Sequence, residues 1–416
     1  MGRKVRAPAM SPSKKKPGDK PPSELFPALA RLLGSANADA FVQRCWEREA
    51  LHVRPSPAYP AERPLVSLRE IDAVLTKHPH RHPDLQLVDS ARTLDAEDYA
   101  NAVNTVDMPR AMKLFAGGST FILNRLDEHC PAVHALCSAL ETELGILVQA
   151  NMYLTPAGAQ GFPIHYDNHD VIVVQCEGRK DWRLYGAPRV LPMRGERFER
   201  EKHLPGERTQ QLVLAPGEAL YVPRGLMHEA VASGDGCSLH VTLGLHAVRW
   251  SEVIIEALAE HAVEDLDLRR GLPLGALVGK VPEEVLLAGV RARVDRLVEA
   301  LRWEKVRERV VSHFVDEHRE RLEGLLLDVT AEANGATVYA PREGLMVTRS
   351  VEGDKCNLSV NGRETRWPDY THDTLGEVFS RSRFTLGDLG DDLDDKGKGT
   401  LVRRLILEGA VRIVRD

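Results

Sequence analysis

Between Ile146 and His246 the spacing of apolar residues changes from helical to strand-like, and this change limits the folds open to the chain more than any other feature. Short runs rich in Val, Ile, Leu and Tyr at 147–154, 170–175, 181–185, 211–214, 219–222 and 238–245 are separated by turn signals. These are Pro156-Ala157-Gly158, Glu177-Gly178, Pro216-Gly217 and Pro223-Arg224-Gly225. Strands punctuated at this interval predict an antiparallel sandwich or a jelly-roll barrel. On either side the helical period returns. Leu25, Leu29, Leu32 and Leu33, then Ala40, Phe41, Cys45, Trp46 and Leu51, predict two helices ahead of the barrel, and 253–262, 283–301 and 306–327 predict helices behind it. The expected fold class is α+β, and 416 residues suffice for two or three domains.

From about Thr337 two further strand-like runs meet at Asn361-Gly362, a strong two-residue hairpin signal, and helical patterns follow at 374–380 and 399–408. Such a unit resembles a winged helix. Residues 371–416 hold eight Lys or Arg against nine Asp or Glu, so the basic footprint of a DNA reader is missing and a structural or protein-docking role is expected. The whole chain carries a net charge of −6, which argues against nucleic-acid binding through a generally basic surface. The exception is residues 1–20, with seven Lys or Arg against one Asp, which read as a disordered basic tail capable at most of weak contact with RNA. No apolar run approaches the ~20 residues that span a bilayer. The tail has no continuous apolar stretch of the secretory kind, and the six cysteines form no C-x-x-C pair, so a reducing cytoplasm is expected.

The chemistry is concentrated in two motifs. In Gly161-Phe162-Pro163-Ile164-His165-Tyr166-Asp167, residues two apart on an extended strand share a face, so His165 and Asp167 present an imidazole and a carboxylate side by side. A second H-x-D, His82-Pro83-Asp84, lies in a Pro/His-rich stretch and shows that chance matches occur. The other motif, Tyr221-Val222-Pro223-Arg224-Gly225-Leu226-Met227-His228, places His228 where the chain re-enters a barrel. Two histidines and one carboxylate suit non-haem Fe(II), which keeps open positions for a co-substrate and O2, better than tetrahedral zinc. Lys180 begins a strand and can offer its ammonium to a carboxylate inside the barrel. Ile172, Val174, Trp182 and Leu184 are expected to form an apolar wall. His169 is expected at the rim, His240 either in the pocket or in the core, and His78, His80 and His82 in a solvated loop.

These residues, with Asn151 to Gly158 and Gln175 to Tyr185, resemble the JmjC-type cupin proteins of the ribosomal oxygenase group. The similarity is dense over 115–246 and extends to Trp46-Glu47 and Leu51-His52-Val53. The resemblance implies a double-stranded β-helix (a jelly-roll cupin barrel) and a 2-oxoglutarate- and Fe(II)-dependent oxygenase that hydroxylates an arginine or histidine of a ribosomal protein. It further implies that His165, Asp167 and His228 bind iron, that Lys180 pairs with 2-oxoglutarate, that Asn151 lines the same pocket, and that Tyr153 faces the substrate. The implied organisation is a basic tail over 1–23, a catalytic domain with N-terminal helices over 24–248, a helical homodimerisation region over 249–335 and a winged-helix-like domain over 336–416. One departure is Ala232, where the general cupin pattern has Asn. The competing readings are the same chemistry on tRNA or a small metabolite, and a metal-binding scaffold without catalysis.

Overall fold

The computed structural model describes residues 20–55, 58–317 and 322–415; most of the expected basic tail lies outside them. Ten strands build the central unit: β1 (Leu51–Val53), β2 (Leu85–Val88), β3 (Thr120–Leu123), β4 (Leu147–Thr155), β5 (Asp170–Glu177), β6 (Arg179–Tyr185), β7 (Arg208–Leu214), β8 (Ala219–Val222), β9 (His228–Ser233) and β10 (Ser238–His246). They form a seven-stranded sheet in the order β1-β8-β5-β10-β4-β3-β2 and a three-stranded sheet in the order β7-β6-β9. All the pairings within both sheets are antiparallel. His165 adds an isolated bridge to His228 on the outer side of β9.

The large sheet is buried on both faces. On one, Ile172, Val174, Tyr221, Val241 and Met152 pack with the helices Pro27–Leu33 and Pro131–Leu144. On the other, Val171, Val173, Leu220 and Val222 meet Trp182, Leu184, Leu212 and Leu214 of the small sheet. Double burial explains why β5 reads as an unbroken apolar run, whereas β6, with one face towards water, alternates. The chain passes between the sheets at Gly178, whose φ is +65° and where a Cβ would collide with the Cys237 carbonyl. Glycine is the residue that fits such a turn.

The sequence signals miss β1, β2, β3 and β9. β9 reads His-Glu-Ala-Val-Ala-Ser, with too little apolar content to stand out, and β1 to β3 are short pieces set among helices. Behind the barrel, helices run at Trp250–Glu264, Glu283–Ala300 and Trp303–Glu317. The single helix expected over 306–327 is divided. A separate helix starts at Leu325 just after Gly324, which adopts φ 77° and so breaks helical geometry. The C-terminal part contains β11 (Tyr339–Pro341), β12 (Val347–Glu352), β13 (Lys355–Val360), β14 (Arg363–Pro368) and β15 (Val411–Ile413), with helices His372–Ser380 and Asp395–Leu407. Asn361 and Gly362 both have positive φ, 46° and 73°, as the two-residue hairpin turn between β13 and β14 requires. This part has its own core around Cys356, Leu358, Trp367, Leu375 and Leu405. Among the described residues no helix is long and apolar enough to cross a membrane.

Candidate metal centre

The bridge between His165 and His228 is the foundation of the site. The His165 N–H donates to the His228 carbonyl at 3.1 Å, and the His228 N–H returns a bond to His165 at 2.7 Å. Residues paired in this way put their side chains on the same side of the sheet, and the two imidazole centroids lie 4.6 Å apart. Asp167, two residues on, places Oδ1 4.0 Å from His165 Nε2 and Oδ2 3.6 Å from His228 Nε2. One potential ligand atom from each of the three lies within 4.8 Å of the others.

Both rings are held by their far nitrogen. His165 Nδ1 lies 2.8 Å from the Pro163 carbonyl and His228 Nδ1 3.1 Å from that of Leu226. A carbonyl only accepts, so Nδ1 carries the hydrogen in each neutral ring and the Nε2 lone pair is aimed at the shared centre. Burial, with His165 adding to it, pushes His228 down to about 4, so this imidazole is neutral at physiological pH. Burial alone would raise the Asp167 carboxyl, but His165, His228 and His169 outweigh it and hold the group below its ordinary range. A neutral His228 beside an ionised Asp167 suits a divalent ion.

Behind the triad lies a cavity of about 260 Å³, lined among others by Tyr153, Val171, Val173, Lys180, Trp182 and His240. This is slightly smaller than the roughly 300–1,000 Å³ of drug-sized sites and suits a small metabolite. Lys180 projects inward from β6 and is only 4% exposed. Its Nζ donates to Thr155 Oγ1 at 3.1 Å, and Thr155 accepts another bond from Thr120 at 3.1 Å. Among the described residues no carboxylate lies within ion-pair distance of it. Burial pushes the ammonium down to about 7. Trp182 Nε1 and His240 Nδ1, also buried, have no hydrogen-bond partner among the described residues. A buried amine with only a hydroxyl for company is costly until an anion joins it. The cavity is therefore suited to a carboxylate at its Lys180 end and a metal at its triad end, and the residues present fit Fe(II) with 2-oxoglutarate.

Several sequence-based expectations need adjustment. Tyr153 does line the cavity, its ring stacked on His240 at 4.8 Å, and burial together with the nearby Asp167 charge keeps its hydroxyl protonated. Asn151 lies one step behind it: its Oδ1 accepts from the backbone N–H of Arg125 and the amide of Gln149, each at 3.0 Å, and its side chain also hydrogen-bonds the cavity-lining Tyr153. The apolar wall is displaced by one residue along β5: Val171 and Val173 face the cavity, and Ile172 and Val174 face the opposite core. A run of Val-Ile-Val-Val has no alternation from which its facing could be read. Of the wall expected from β6, Trp182 lines the cavity and Leu184 packs between the sheets. His240 lies in the pocket, and His169 stacks on His246 at 4.8 Å. His80 is not solvated but buried, its Nε2 2.8 Å from the Val74 carbonyl. Thr120 and Thr155 carried no sequence signal, because a threonine in a strand is ordinarily just a good strand former.

Residues 128–253 match the family model for the JmjC domain. The chain carries a JmjC domain. The JmjC segment and its flanks are 33% identical over 259 residues to a Drosophila mojavensis protein named bifunctional lysine-specific demethylase and histidyl-hydroxylase NO66, a match covering 58% of this chain and 28% of that one. They are likewise 33% identical over 262 residues to Gallus gallus ribosomal oxygenase 1, covering 59% of this chain and 42% of that one. The curated relatives are longer, and the matches span 26–42% of their length. Among solved structures, the Escherichia coli ribosomal oxygenase YcfD in complex with cobalt and 2-oxoglutarate is similar over 91% of this chain and 98% of its own, with a TM-score of 0.52 and 16% identity. At that identity the likeness concerns the fold, the JmjC cupin barrel with its accompanying helices.

Proposed function

We propose that this protein is a 2-oxoglutarate- and Fe(II)-dependent oxygenase that hydroxylates a side chain of a ribosomal protein. The carrying observation is the cavity with a His/Asp/His cluster at one end and a buried Lys180 lacking a carboxylate partner at the other. In this reading His165, Asp167 and His228 would hold Fe(II), and Lys180 would pair with the distal carboxylate of 2-oxoglutarate. The iron, with 2-oxoglutarate and O2, supplies the oxidising power for insertion of oxygen into an aliphatic C–H bond. The protein's own contribution is positional: backbone carbonyls lock the ring orientations, Val171, Val173 and Trp182 keep water from the centre, and Tyr153 meets the incoming side chain. The relatives named histidyl-hydroxylases favour histidine over arginine as acceptor. Succinate should form from 2-oxoglutarate only with Fe(II), and ribosomal proteins from a deletion strain should lack one oxygen atom that the parent strain's carry. Absence of both effects sinks the proposal, while succinate formation without a ribosomal difference redirects it to another substrate.

The division into a catalytic domain over 24–248, a helical region over 249–335 and a winged-helix-like protein-docking domain over 336–416 belongs to the same proposal, as does a homodimer. Trp250 (79% exposed), Ile254 (59%) and Leu258 (43%) line one helix face, and Val290 (56%), Val294 (50%) and Val298 (63%) another. Faces this apolar at helical spacing are stable in water when covered, and a second copy covers both at once. Sedimentation equilibrium should give twice the chain mass, and Val294→Asp should shift the species towards the monomer; a wild type that sediments as a monomer refutes this part. A cytoplasmic placement belongs to the same proposal, supported by the six cysteines being free thiols.

A further inference from the structure

Between the two ligand-bearing segments lies a second buried charged cluster that takes no part in holding a metal. Asp170 follows Asp167 by three residues and is fully buried; Arg224 precedes His228 by four and is 8% exposed. Arg224 Nη1 lies 2.6 Å from Asp170 Oδ2 and 2.7 Å from Glu47 Oε1. Asp170 Oδ1 accepts from the Tyr221 hydroxyl at 2.7 Å and more weakly from the Arg224 backbone N–H at 3.4 Å. The Tyr221 hydroxyl in turn accepts from the Glu47 N–H at 2.8 Å. The backbones of the same two segments meet again where Gly225 N–H donates to the Asp167 carbonyl at 3.0 Å. Gly225 has φ +84°, and the Arg189 carbonyl occupies the space a Cβ would need, so the turn itself has no latitude.

An ion pair buried this deeply holds a fold no better than an apolar pair of the same shape, because both charges lose their water. What it adds is direction, since a guanidinium and a carboxylate accept each other at fixed angles. We infer that the Asp170–Arg224 pair, braced by Tyr221 and Glu47, positions the metal ligands by fixing the separation between Asp167 and His228. This rests on the metal-centre reading above. Asp170 and Arg224 are positioning residues, acting through the segments they join.

The test is Co(II) binding to the full chain, followed by its visible d–d absorption and by competition with a chelator, with denaturant unfolding of the metal-free protein measured alongside. The paired variant Asp170→Asn/Arg224→Met removes both charges together and still gives Tyr221 an acceptor. It should unfold near the wild-type midpoint yet bind Co(II) about 10- to 100-fold more weakly with an altered spectrum, the range seen when groups orienting metal ligands are lost. Arg224→Lys should recover part of that affinity. A folded paired variant with wild-type Co(II) affinity and spectrum overturns the inference. If the pair fails to fold, Asp170→Asn alone, which leaves Arg224 its Glu47 partner, should show the same weakening, and unchanged binding there is equally fatal. A wild type that binds no Co(II) instead sinks the metal-centre reading, and the inference with it.

Discussion

Asp167→Ala is expected to lower 2-oxoglutarate turnover by at least about 10³-fold, or roughly 4 kcal/mol of activation free energy, while leaving the protein folded. The carboxylate is the only anionic member of the triad, lying within 4.0 Å of both imidazoles. Without it two neutral rings face a divalent ion, and the site loses the charge that offsets the metal's own. The fold is not expected to suffer, because Asp167 is half-buried and its removal relieves a desolvation cost rather than breaking a packed contact. Succinate production under saturating Fe(II), read beside a circular dichroism melt, checks both halves. Residual turnover above a few per cent of wild type would remove Asp167 from the metal site.

Lys180→Met is expected to act on the co-substrate rather than on the metal. The side chains are similar in length, so the variant keeps the packing and deletes the charge. Truncating one partner of a buried charge pair costs about 2–5 kcal/mol, so the KM for 2-oxoglutarate should rise on the order of 10²- to 10³-fold with Co(II) affinity unchanged. The wild type should also show a diagnostic pH dependence. Burial brings Lys180 down to about 7 in the free site, whereas a bound carboxylate requires the ammonium. Binding is then linked to proton uptake: affinity is level below about pH 7 and falls towards tenfold per unit as the pH rises above it. In Lys180→Met this slope should vanish. Calorimetric titration of 2-oxoglutarate between pH 6.5 and 8.5 measures both: a wild-type affinity independent of pH would mean that Lys180 is already charged in the free site, and an unchanged affinity in Lys180→Met would mean that it is not the carboxylate's partner.

The elements most legible in the sequence were those written in local chemistry. Gly178 and Pro223-Arg224-Gly225 mark turns because the backbone conformations there exclude most other residues, and Asn361-Gly362 specifies its hairpin for the same reason. His165 and Asp167 come to one centre as their two-residue spacing suggests, although only His165 makes a bridge to a strand. Less was legible where a residue's role depended on which group won it. Asn151 has the strand parity of Tyr153, but the Arg125 N–H and the Gln149 amide take its oxygen, and it reaches the cavity through its bond to Tyr153. β9 lacks an apolar signature, yet it is placed by its pairing with β6 along the whole run from Arg179 to Leu184.

The sequence by itself determined six of the ten barrel strands with their turns, the return of helices behind them, and the side chains able to hold a metal and a carboxylate, because each depends on the backbone preferences and ionisation of residues near one another in the chain. The tertiary structure alone decided that His228 pairs with His165, that Val171 rather than Ile172 faces the cavity, that Lys180 meets Thr155, and that Asp170 locks onto Arg224. Each of these is a contact between distant segments. A sheet buried on both faces offers its strands two apolar sides, and only the packing of everything around it selects which side becomes the site.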